Sequence, residues 1–266
     1  GLGCSPCHTN NFFDEDDSKS YQNLGENKEL YCSSGIIKGS ISREKFYFHS
    51  QEIAHMKFLL ANEVTDLDNL MSEGIAGLVP KAKNQGDLLM DKMFEGGVID
   101  AKEFTILLGR KSYDESYITF GHNRDSKTEV TYLPLILLPD REDITHWATK
   151  VDRISYGKTN IELNTNIAVW NTGIFFINMP EHNAQQIIDK IVKEREAYNT
   201  SDGKFVYYDC HDYNDVEDLS FNFENLVINI SRHDMLHFEN GKCFILIEKK
   251  EVKNPSENYM ELGISF

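Results

Sequence analysis

What most constrains this chain is a succession of short apolar runs punctuated by Gly, Asn, Asp and Ser. "FTILLG" (104–109), "SYITFG" (116–121), "TYLPLILL" (131–138), "AVWNTGIFFI" (168–177), "LSFNFENLVINI" (219–230) and "CFILIE" (243–248) all read as strands. Several alternate apolar and polar residues with period two, as antiparallel strands buried on one face do. Helical periodicity is rare. Ala184, Ile187, Ile188, Ile191 and Val192 line one face of a helix predicted over 183–198, and a shorter helix is predicted over 85–97, closed by Gly96 and Gly97. The pattern predicts a mostly β architecture with a few accessory helices. The most polar connection, "GHNRDSKTEV" (121–130), is where a boundary between two halves, 1–128 and 129–266, is expected.

A chain of 266 residues is long enough for one large core or two ordinary ones. With 40% hydrophobic residues it does not belong to the disordered class. Its formal charge of −16, with no run of Lys or Arg, argues against nucleic acid as a partner. No stretch reaches the ~20 apolar residues of a membrane-spanning helix. Gly1-Leu2-Gly3-Cys4 has neither the basic nor the apolar region of a signal peptide, so a secreted form would already have lost its signal. Asn199-Thr-Ser and Asn229-Ile-Ser are acceptor triplets for N-glycosylation and lean toward a lumenal or extracellular location. Five cysteines, an odd number, leave at least one without a partner in this chain.

Other patterns have plainer readings. "CSPCH" (4–8) fits covalent haem attachment, but it opens a β-rich chain, and a local disulfide or surface loop is the preferred reading; no cofactor is expected. His233 and His237 have a spacing that could face a metal on a helix, yet no third ligand is evident, and a solvated turn with no metal is expected. Tyr207, Tyr208 and Tyr213 read as packing residues. The phosphate-cradling and nucleophile-elbow motifs are absent.

"AVWNTGIFFINMP" (168–180) reads as a strand, a tight turn at Thr172 and Gly173, and a second apolar run stopped by Pro180. Several segments taken together give it meaning. "CHTNNFFDEDDSKSY" (7–21), "GIIKGSISREKFYF" (35–48), "EGIAGLVP" (73–80), "THWATKVDRISYG" (145–157), "AVWNTGIFFINMP" and "YMELGISF" (259–266) follow in the order and spacing of the pepsin-like aspartic proteases. The chain resembles that family from Cys4 to Phe266. The resemblance implies a bilobal β fold with an incomplete first lobe, and makes 35–48 the hairpin flap over the substrate cleft. It also implies disulfides Cys4–Cys7 and Cys210–Cys243, leaving Cys32 odd. The flap's substrate-facing Tyr falls at Tyr31 or Cys32, and Tyr31, Cys32, Gly35, Ile174 and Phe175 become cleft residues. Ile75-Ala76-Gly77 and Glu261-Leu262-Gly263 would each pass close to a catalytic loop, an approach open only to a residue without a side chain. Glu261, in a slot the family keeps apolar, is a departure.

The family's reaction uses two carboxylates, one from each lobe; one activates water while the other donates to the scissile carbonyl. The first acid's loop is expected upstream of Gly1. The second is Asn171-Thr172-Gly173, where an amide stands in the place of the acid and has no proton to exchange in this pH range. Ile174 and Phe175 replace the hydroxyl residue that supports the acid, while Thr172 keeps a hydroxyl able to bond a facing loop. The leading expectation is an inactive homologue holding a peptide or protein in the cleft, or serving as a structural subunit of a larger complex. The alternative is an active aspartic endopeptidase whose first Asp lies upstream and whose Asn171 is engineered or misread.

Overall fold

A computed structural model of the chain describes residues 13–31, 35–65, 73–80, 87–109, 114–123, 130–201, 203–211, 213–264 and 266. Contacts divide the described residues into two compact units, one drawn from 1–78 and 84–126, the other from 79–83 and 127–266. Most of the regular structure is β, and the helices are few.

In the first unit β1 (Gln22–Tyr31), β2 (Ile36–Phe48) and β3 (Gln51–Thr65) form an antiparallel meander. The segment expected to be a hairpin, 35–48, is instead one long strand at the centre of that sheet. It pairs with β1 on one side, Tyr31 lying opposite Ile36, and the chain reverses into β3 at His49, whose φ is 55°. Only glycine fits at 39, since a Cβ there would lie 2.0 Å from the carbonyl oxygen of Leu60. The "SKSY" segment clamps β2 from the side: the hydroxyls of Ser18 and Ser20 donate to the Glu44 carboxylate, and Tyr21 meets Ser42 at 3.0 Å. Helix α1 (Leu89–Glu95) packs Met93 against Ile53 and Met56 of β3, and β4 (Phe104–Leu107) pairs with β5 (Tyr117–Phe120).

The second unit contains β6 (Ala148–Lys150), β7 (Arg153–Tyr156), β8 (Thr159–Asn160), β9 (Ile167–Trp170), β10 (Ile177–Pro180) and helix α2 (Glu181–Val192). They are followed by β11 (Ala197–Asn199), β12 (Val206–Asp209), β13 (Leu219–Phe223), β14 (Leu226–Ile230) and α3 (Arg232–Met235). Last come β15 (Leu236–Glu239), β16 (Lys242–Ile245), β17 (Ile247–Lys250) and β18 (Met260–Leu262). Three sheets, ordered β17-β10-β18-β9-β6, β11-β12-β16-β15 and β14-β13-β7-β8, enclose a core that includes Ile154, Met179, Tyr208, Phe221 and Ile245. The apolar stripe of α2 supplies Ala184, Ile187, Ile188 and Ile191 to the same core.

Differences from the sequence reading have local causes. Helix α2 ends at Val192 and does not continue to 198 because Lys193 adopts φ 57°. That bend brings Lys193 Nζ to 2.9 Å and Arg195 Nη2 to 2.6 Å from Asp215 Oδ2, freeing Ala197–Asn199 to become a strand. "TYLPLILL" joins no ladder, although Ile136 N–H donates to Ala148 O at 2.9 Å; Pro134 and Pro139 have no N–H to contribute. "CFILIE" breaks at Leu246, whose N–H donates to Met235 O, and the chain there passes from β16 to β17 in another sheet. "LSFNFENLVINI" is a hairpin of two strands.

Cys210 and Cys243 form a disulfide closing a separation of 33 residues, a crosslink contributing about 3–4 kcal/mol in the chain-entropy picture. Cys4, Cys7 and Cys32, and with the first two the "CSPCH" pattern, lie outside the described residues. His233 sits in α3 with Nδ1 3.2 Å from Tyr213 Oη, whereas His237 is in β15 beside Phe244, so the two share no helical face. Tyr208 is fully buried, and Tyr207 packs between Tyr198 and Phe244 on the opposite face of its sheet.

Candidate functional site

β9 carries the chain into the turn at 171–173. Its register is fixed by buried Ala168 and Val169 and by Trp170, whose indole N–H donates to Thr149 Oγ1 at 2.8 Å while its ring packs on Phe223 and Phe266. β10 carries the chain away, and β18 threads between the two arms, parallel to β9 and antiparallel to β10, with Leu262 opposite both Trp170 and Ile177. Asn171 N–H donates to Leu262 O at 2.9 Å, Gly263 N–H to Phe176 O at 3.1 Å, and Ile264 N–H to Ile174 O at 2.9 Å. A Cβ on residue 263 would lie 2.3 Å from Phe176 O and 2.7 Å from Ile174 O, so only glycine permits this approach. The corresponding expectation for Gly77 is not met. Among the described residues nothing lies within 4 Å of a Cβ built there, and Ile75 is 62% exposed, because no described loop packs over that segment.

Both ends of the Asn171 carboxamide are occupied. Its Oδ1 accepts the Gly173 N–H at 2.9 Å, and its Nδ2 donates to Glu261 Oε1 at 3.0 Å. A backbone donor on one side and a carboxylate acceptor on the other fix which atom is oxygen and which nitrogen. The second oxygen of Glu261 lies 3.6 Å from Lys250 Nζ, and that ammonium sits 3.5 Å from the centre of the Tyr259 ring. The Lys250 and Glu261 side chains are only 19% and 15% exposed. Burial pulls the Lys250 ammonium below its ordinary pKa, with Glu261 opposing that pull; burial likewise raises the Tyr259 phenol, with Glu261 adding to the rise. His146, whose ring centre lies 6.2 Å from that of Tyr259, is lowered by burial and next by Arg141. The result is a half-buried polar cluster directly beside the turn.

This arrangement can hold and orient hydrogen-bonding groups, but residue 171 has no proton to give or take. Thr172 and Gly173 are exposed at the tip, Ile174 is half-buried, and Phe175 is 50% exposed and packs on Phe176, which in turn packs on Phe205. Residues 171–175 are therefore brought together. Tyr31, 76% exposed at the end of β1, and Gly35, partly buried just before β2, belong to the first unit. Sequence reading missed Lys250, Tyr259 and His146. The signal available was Glu261 itself, since a carboxylate in an apolar slot calls for a compensating cation and donor. Among the described residues no group of three or more His, Cys, Asp or Glu side chains could hold a metal, and no helix is long and apolar enough to cross a membrane.

The apolar strand, the turn and the glycine strand threaded between its arms agree with a sequence match to the eukaryotic aspartyl proteases that runs over residues 2–266. This chain belongs to that family. It is 23% identical over 99% of its length to vacuolar protease A of Neurospora crassa, covering 65% of that protein. It is 25% identical over its whole length to a probable vacuolar protease A of Arthroderma benhamiae, covering 66% of it. Over 58% of the chain it is 24% identical to pregnancy-associated glycoprotein 2 of Bos taurus, covering 40% of that protein. The chain thus spans about two thirds of the length of the vacuolar relatives, 65% and 66%.

Proposed function

We propose that this aspartyl protease homologue binds a peptide or protein segment without cleaving it. The observation that carries the reading is the state of residue 171. At the family's acid position stands a carboxamide whose oxygen and nitrogen are each committed, to Gly173 and to Glu261. An acid at 171 would set two carboxylates face to face at the distance now spanned by a hydrogen bond, and the amide suits those surroundings better. Ile174 and Phe175 add to this, because no hydroxyl follows Gly173 to support an acid. Loss of one acid/base group alone slows such a reaction by about 10²–10⁴.

In the second unit binding is assigned to the loop tip, Ile174 and Phe175; in the first, the family likeness assigns it to Tyr31, Cys32 and Gly35, with 1–128 and 129–266 taken as the two lobes. The names of the vacuolar relatives and the Cys210–Cys243 disulfide support an oxidising, secretory-pathway compartment. The test is incubation of the full natural polypeptide with unfolded protein substrates from pH 3 to 6, with and without pepstatin, read by mass spectrometry. Intact substrate is expected. Cleavage that pepstatin abolishes would overturn the proposal.

A further inference from the structure

We infer that Glu261 is a positioning residue that selects an uncharged hydrogen-bond donor at 171, so that an ionised carboxylate placed there destabilises the fold. The geometry leaves little freedom. The Asn171 oxygen is taken by the Gly173 N–H at 2.9 Å, so the atom facing Glu261 Oε1 at 3.0 Å must be a donor. Replacing that nitrogen with a carboxylate oxygen turns a charge-assisted hydrogen bond into a contact between two anions. One of the two then has to take up a proton, and its ionisation is displaced to higher pH. Turning Glu261 away is opposed by Lys250, which holds the other carboxylate oxygen from β17 at 3.6 Å and is itself packed over Tyr259.

Among the described residues the charges that face Glu261 come from a small set of groups. Lys250 approaches from β17; His146 and Tyr259 lie within its field, and Arg141 and Glu257 act on those same groups. One cation cannot compensate two carboxylates in so small a space. The coupling rests on these contacts and stands whether or not the chain binds peptides.

The test compares unfolding of wild type, Asn171→Asp, Asn171→Ser and the double variant Asn171→Asp/Glu261→Gln between pH 3.5 and 8. An acid whose ionisation is displaced upward in the folded state loses no stability below the unfolded value near 4, and loses it progressively as pH rises above that. The Asn171→Asp unfolding constant should therefore match wild type near pH 3.5 and exceed it on the order of 10- to 1000-fold by pH 7.5, for a displacement of about one to three pH units. Because His146 and the other neighbours titrate in both proteins, the difference between the two profiles isolates residue 171. In the double variant the amide introduced at position 261 donates to the carboxylate introduced at position 171. A single anion then remains near Lys250, so most of the loss at pH 7.5 should be recovered. Asn171→Ser removes the donor without adding a charge and should give a smaller loss at pH 7.5 than Asn171→Asp does. A pH-independent loss in Asn171→Asp, or no recovery in the double variant, would overturn the inference. Peptide cleavage by wild type would overturn the proposed function while leaving these profiles unchanged.

Discussion

Replacing Gly263 with alanine tests the threading of β18 through the candidate loop. The new methyl carbon would sit 2.3 Å from Phe176 O, 2.7 Å from Ile174 O and 2.8 Å from Phe175 C, all backbone atoms that no rotamer change can move. Ordinary carbon contacts are near 3.5 Å, so β18 and the loop must separate by about 1 Å. That separation breaks the Gly263–Phe176 and Ile264–Ile174 hydrogen bonds, now 3.1 and 2.9 Å long. Two backbone pairs lost in a half-buried place cost about 1–3 kcal/mol each, offset by about 0.4–1 kcal/mol from the stiffer unfolded chain. The net loss should be about 1–5.5 kcal/mol, seen as a fall in Tm of roughly 3–20 °C for a domain of this size. Gly77→Ala is the matched control, because nothing described lies within 4 Å of its Cβ, and it should stay within about 0.5 kcal/mol of wild type. Calorimetry or circular dichroism would report both. A Gly263→Ala variant as stable as the Gly77→Ala variant would refute the close approach.

Other consequences are open to direct measurement. Asp215 is held down to about 2, first by its hydrogen bond from Arg195 and next by Lys193. Its contribution is therefore present above the unfolded carboxylate range and disappears as pH falls from about 4 toward 2. The side chain is 40% exposed and screened by solvent, so Asp215→Asn should cost no more than about 1 kcal/mol at pH 7 and only a small part of that at pH 2, read by denaturant unfolding. Replacing Cys210 and Cys243 together with alanine should lower stability by about 3–4 kcal/mol, and reduction of the native protein should lower it similarly. Trp170→Phe keeps the ring packing but leaves Thr149 without its indole donor. It should cost about 1 kcal/mol, read by chemical denaturation.

Much of the fold was legible because apolar periodicity reports which faces are buried. The stripe of α2, the β4–β5 pair and the two arms around residues 171–173 all follow from it. What periodicity does not carry is the influence of distant residues. The end of α2 depends on Asp215, far along the chain from Lys193, and no local signal marks the left-handed turn. Prolines make the apolar 131–138 run a poor ladder partner, which the count of apolar residues hides. The 35–48 segment is equally compatible with a hairpin or a single long strand until its pairing on both sides is known. The candidate loop was legible through family likeness, and Glu261 stood out there as a misplaced charge. Its meaning was not legible, because Lys250 reaches it only through the register that sets β10 between β17 and β18.

Residue 171, which we propose stands at the family's acid position, is an amide held between Gly173 and Glu261. Nuclear magnetic resonance can see that state in solution, through the side-chain amide signals of Asn171, assigned by their loss in Asn171→Ser and followed from pH 3 to 8. A single slowly exchanging NH₂ pair, present throughout and moved upfield in Glu261→Gln, is the predicted result. No such pair, or a freely exchanging one indifferent to Glu261, would contradict it.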